Sequence, residues 1–78
     1  MTAEQREAYR AAAAAMVYPT SPYSEAFVVA FDGAIEAREA AMTATRGEAA
    51  GLWEVAAKCK AEAHALLRRH RKHRRDHP

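Results

Sequence analysis

The 78-residue sequence predicts an all-α fold, a small three-helix bundle or helical hairpin with a short N-terminal helix and a long C-terminal one. Three observations carry that prediction. Alanine supplies 21 residues and is mixed with Glu, Arg and Lys, all strong helix formers. Only three glycines and three prolines interrupt the chain, and β-branched residues are too scarce to build a sheet. Apolar positions recur every three or four residues, the period of a helix that buries one face.

Thr2 followed by Gln5 is a capping-box pattern, and Tyr9, Ala12, Ala13, Met16 and Val17 then recur at helical spacing, so a first helix is expected over about residues 3–17. Pro19 cannot continue it. Ser21 followed by Pro22 reads as an N-cap with proline in the first helical position, which starts a second helix over about 22–44. Thr45 with Glu48 repeats the capping-box pattern, and Gly47 beside it favours a short reversal into a third helix over about 46–67. Residues 68–78 are expected to extend that helix as a basic tail. A competing arrangement is one long helix from about 22 to 73, pairing as a coiled-coil dimer. It draws on Val28, Phe31, Ile35, Arg38, Met42, Thr45, Ala49, Leu52, Ala56, Cys59, Ala63 and Leu66, which keep a 3-4 spacing straight through the expected turn. The hairpin is preferred because it hides the aromatic residues within one chain. Gly47 and Gly51 form a small-xxx-small pair, read as local helix packing.

The chain is long enough for one domain only. At this size a single core rarely supplies more than about 3–5 kcal/mol, which makes a homodimer an expectation. Half the residues are hydrophobic, but the 21 alanines among them leave little bulky side chain to bury. The single cysteine, Cys59, cannot form an internal disulfide and suggests a reducing, cytoplasmic setting. The polar "MTAEQREAYR" start does not read as a signal peptide, and no apolar run approaches the roughly 20 residues of a membrane span. The Ala/Arg richness fits a GC-rich bacterial or phage genome.

Charge divides the chain. Residues 1–67 hold six Arg/Lys against nine Asp/Glu, whereas residues 68–78 hold six against one. A basic tail on an acidic body suggests an acidic partner. At about 100° per residue, Arg68, Arg69, Arg71, Lys72 and Arg75 share one helical sector, with Arg74 just outside it. His70, His73 and His77 instead continue the apolar stripe of Ala56, Cys59, Ala63 and Leu66. Five arginines to one lysine suit bidentate phosphate contacts, so the six cations are the candidate site for nucleic acid, DNA or RNA, bound without sequence specificity.

Other chemistries are weaker. His70 and His77 stand about 10 Å apart along a helix, too far to share one metal ion, and the surrounding arginines oppose a cation, so neither a metal nor any other cofactor is expected. The tail carries no Trp, Phe or Leu after Leu67 to enter a bilayer, which argues against a membrane surface. Cys59 has no neighbouring base, and no phosphate loop, nucleophile elbow or paired ligand set is present, so neither catalysis nor a small-molecule substrate is expected. Glu54–Lys58 and Glu7–Arg10 are spaced as surface ion pairs, and Asp32, Glu36 and Glu39 form an acidic ridge expected to face solvent. Trp53, with Tyr23, Phe27 and Phe31, is expected in the core; if exposed, it becomes the candidate anchor of a protein interface. The sequence thus predicts a small non-enzymatic accessory or regulatory protein that binds nucleic acid. The alternative is an interaction module or inhibitor that docks on an acidic protein.

Overall fold

The computed structural model describes all 78 residues and consists of three helices: α1 (Ala3–Met16), α2 (Ser24–Thr43) and α3 (Arg46–Asp76). The capping box at the start of α1 is formed in full, with the Thr2 hydroxyl accepting from the Gln5 amide at 3.1 Å and the Gln5 side chain accepting from the Thr2 amide at 3.0 Å. Helix α2 begins two residues later than the Ser-Pro signal suggests. Ser21 caps a turn instead, its hydroxyl accepting from the Tyr23 amide at 3.2 Å, and the helix proper starts at Ser24.

The chain reverses between α2 and α3 through Ala44 and Thr45 alone, both extended. This excludes the single long helix. The physical reason lies in the phase of the two apolar stripes. In α2 the buried positions are Ser24, Phe27, Ala30, Ala37 and Ala41, so the stripe runs through residues next to those that extrapolate from α3. Arg38 and Met42, which the continuous spacing places on the seam, are exposed. In α3 the stripe runs as expected through Ala56, Ala63 and Leu66 and continues to His70. The turn does not depend on its expected details. Thr45 occupies the N-cap position without making a side-chain cap bond, and Gly47 lies inside α3 without a positive φ.

Helices α2 and α3 pack antiparallel along their length. Gly33 of α2 faces Cys59 of α3, and a Cβ at Gly33 would stand 3.4 Å from the Cys59 sulfur. The close approach expected at Gly47 and Gly51 therefore falls at Gly33, and both of the other glycines face open space. Replacing Gly51 with alanine is accordingly expected to stabilise the fold by about 0.5–1 kcal/mol, because a helix-interior glycine costs backbone entropy and the new methyl meets nothing. A urea midpoint at or below that of the unaltered protein would contradict this.

Helix α1 packs on the other side of α2. Its Arg6 pairs with Asp32 at 3.4 Å and Glu36 at 3.5 Å, and the Met1 amine stands 3.6 Å from Glu39. The acidic ridge expected in solvent is thus the landing strip of α1. The expected Glu54–Lys58 and Glu7–Arg10 pairs are not formed; Arg6 reaches across to α2, whose carboxylates offer two partners at once. The extents of 48 × 25 × 11 Å describe a thin layer with α2 in the middle, since three axes spaced about 8–10 Å apart account for the 25 Å width.

A layer one helix thick cannot enclose a large core. Eleven residues are buried, and the principal cluster joins Ala13, Val17, Phe27, Ala30, Ala63 and Leu66 where the end of α1 meets the α2–α3 pair. Tyr23, Val28, Phe31 and Leu67 pack around it. Trp53 is not part of it. With 46% of its surface exposed, Trp53 lies outside the core, as do Val29, Met42 and Val55. The aromatic cluster is smaller than expected: Phe27 meets Phe31 at 6.0 Å between ring centres, and Tyr23 turns to the tail. None of the helices is long and apolar enough to cross a membrane.

Candidate functional site

The tail is helical to Asp76, and what holds it is the segment between α1 and α2. Val17 is buried, and its carbonyl accepts from the Ser24 hydroxyl at 2.8 Å. The Ser24 oxygen in turn accepts from the Ser21 amide at 2.8 Å. From this fixed turn the Ser21 oxygen stands 2.7 Å from Nδ1 of His70, which is only 3% exposed. Ser21 also accepts from the Tyr23 amide, and a Ser21 hydroxyl that donates to an unprotonated Nδ1 satisfies both atoms. One turn on, the His73 ring meets Tyr23 edge-on at 6.2 Å, and His77 stacks on His73 at 4.3 Å. His70 and His73 thus take over the apolar stripe by offering a flat ring to pack and, at His70, a nitrogen for the part-buried Ser21 hydroxyl.

Burial lowers the pKa of His70 below the ordinary histidine value, and the charges of Arg74, His73 and Arg71 lower it further. The elements packed against it supply the uncharged Ser21 and no compensating carboxylate. The folded state therefore prefers the neutral ring. Because the folded pKa is lowered, the stabilisation is complete above the ordinary value of about 6.5 and is lost as pH falls from there through the folded value. A urea midpoint that drops between pH 8 and pH 5, and drops less in a His70→Gln variant, is the expected result. Equal drops would show that other groups dominate the acid sensitivity.

Docking His70 and His73 inward fixes the direction of the six cations. Arg68, Arg69, Arg71, Lys72, Arg74 and Arg75 are all exposed, and none has an ion-pair partner. Placement of positive charge in the last turn of α3 also complements the helix dipole. The structure divides the six differently from a helical wheel. Arg68, Arg71, Arg74 and Arg75 line an open groove of about 590 Å³ with His70, Met16 and Tyr18. Arg69 and Lys72 lie outside it. Arg74, which falls just beyond the basic sector in the sequence, is a groove residue because the position of the α1 end selects that flank of α3.

Met16 and Tyr18 are the members of this site that the sequence does not flag. Met16 reads as part of the first helix and Tyr18 as part of the break before Pro19, and only the return of α3 brings the arginines to them. Tyr18 is 75% exposed and Met16 is 48% exposed. Trp53, the candidate protein anchor, lies on α3 outside this groove, 15 residues before the first groove arginine. Cys59 is half-buried against Gly33, and no cluster of three His, Cys, Asp or Glu side chains is placed to hold a metal ion.

The chain is an all-α protein defined by a thin three-helix layer and an arginine-lined groove at one end. Comparison with protein-family models, with curated proteins and with solved structures gives no match to it.

Proposed function

We infer that this is a small non-enzymatic accessory or regulatory protein of the cytoplasm that binds nucleic acid through the C-terminal end of α3. The observation that carries the reading is that six adjacent cations stand on a docked helix without a single carboxylate partner. Surface arginines left unpaired in this density repel one another, and a polyanion relieves that repulsion while releasing its own counterions. Arginine offers phosphate two parallel donors, so the same residues that are costly when free become favourable when occupied. Nothing in the arrangement reads base edges, so binding is expected to be independent of sequence.

The layer architecture favours a homodimer. Val29, Met42, Trp53 and Val55 remain substantially exposed on α2 and α3, and a second copy covering one face would shield such side chains. The second reading, an interaction module or inhibitor for an acidic protein surface, draws on the half-exposed Trp53, a residue type common at interface hot spots. Binding to labelled DNA and RNA at low salt, compared with binding to polyglutamate, tests the choice. Tight binding to nucleic acid and weak binding to polyglutamate favour the first reading. Absence of nucleic-acid binding at low salt rejects it.

A further inference from the structure

We propose that the groove at the tail takes single-stranded nucleic acid, with one base stacked on Tyr18 and neighbouring phosphates held by Arg71, Arg74 and Arg75. The proposal rests on the nucleic-acid reading above and narrows it to a substrate class. Its first support is that the backbone presenting Tyr18, three-quarters exposed, is held in place. Tyr18 follows the buried Val17, whose carbonyl is bonded to Ser24, and precedes Ser21, which is bonded to His70. A backbone fixed on both sides of Tyr18 adds little ordering cost when something stacks on the side chain it carries.

The second support is the pairing of surfaces. The groove is lined by Tyr18 and Met16, which offer apolar surface, and by Arg68, Arg71, Arg74 and Arg75, which offer positive charge, together with His70. A nucleotide has the same two halves, a flat apolar base and a phosphate, and the open groove presents both kinds of side chain on one surface. Base–aromatic stacking beside a positive groove is the general solution for single strands. A duplex cannot use it without unstacking, because its base faces are already covered. The basic edge from Arg68 to Arg75 runs about 10 Å along α3, which reaches past one nucleotide and favours a strand over a free mononucleotide.

The test uses the full chain, a labelled short oligothymidylate, a duplex of the same length and thymidine monophosphate. Tyr18→Ala is expected to weaken binding of the single strand by about 5- to 100-fold and to change duplex binding by less than about 2-fold, while Tyr18→Phe keeps single-strand affinity. The exposure of Tyr18 leaves the core untouched in both variants, which an unchanged far-UV circular dichroism spectrum verifies. If Tyr18→Ala leaves single-strand affinity intact while Arg71→Gln weakens it, the stacking site is wrong and the basic surface stands. If neither change affects binding, both readings fall. Monophosphate binding as tight as that of the oligonucleotide also overturns the proposal, since a strand would then contribute nothing.

Discussion

Replacing Phe27 with alanine is expected to leave the protein largely unfolded at room temperature. Phe27 is 2% exposed and is the largest of the six residues in the central cluster, three of which are alanines. Truncating a buried phenylalanine costs about 3–5 kcal/mol, through lost transfer energy and the cavity left behind. A chain of this length has a total stability of about the same size. The thin layer also offers no second shell to collapse into the space. Far-UV circular dichroism with urea titration reads the outcome directly. Val29→Ala provides the contrast within the same helix, because Val29 is 65% exposed and its loss is expected to change stability by less than about 0.5 kcal/mol. A Phe27→Ala variant with a cooperative transition near that of the unaltered protein would show that the core lies elsewhere.

The second large effect concerns binding. Substituting Arg71, Arg74 and Arg75 together with glutamine is expected to lower nucleic-acid affinity by on the order of 10²–10³-fold near 0.1 M salt, if each arginine holds one phosphate. Helix content should not change, since none of the three makes a side-chain hydrogen bond or ion pair. Two of the removed charges, Arg74 and Arg71, also lower the His70 pKa, so their loss relieves the folded state rather than straining it. Charge substitution is the sound experiment here. Ending the chain at Leu67 would delete His70 and His73 along with the arginines, confounding lost binding with a lost anchor.

The sequence made the helices legible because each carries local signals. The Thr2–Gln5 box, the proline-rich break and the stripe from Ala56 to His70 all act within a few residues of where they are read. Two matters were not local. The turn at Ala44–Thr45 had to be chosen against a continuous spacing that ran through Arg38 and Met42, and only packing could show that the buried stripe of α2 ran one residue earlier. The exposure of Trp53 was hidden for a similar reason, since a bulky aromatic suggests a core that a single layer of helices does not provide. The candidate site divides in the same way. Its cations form a contiguous run, so they were evident at once. Their arrangement was not, because Tyr18 and Met16 line one groove with Arg74 from nearly 60 residues away in the chain, through contacts that begin with Ser21 and His70.

The histidines are the clearest case of a pattern whose meaning depended on the fold. In the sequence, three imidazoles on one helix face continue an apolar stripe and stand too far apart to share one metal ion. In the structure His70 is buried and His73 half-buried on the inward side of α3, while His77 is exposed just past its end, and the arginines point outward because the first two do not. Tail docking and charge presentation are therefore one arrangement, and acid that charges His70 is expected to loosen the same helix end that carries the candidate interface.

The central claim, that the docked end of α3 binds phosphate, is tested most directly by the salt dependence of binding to a single-stranded oligonucleotide. With Arg71, Arg74 and Arg75 each engaging a phosphate, the logarithm of the association constant should fall linearly with the logarithm of salt concentration, with a slope of about −2 or steeper, and the triple glutamine variant should lose most of it. An affinity that does not change with salt, or a slope that is the same in both proteins, would contradict the account.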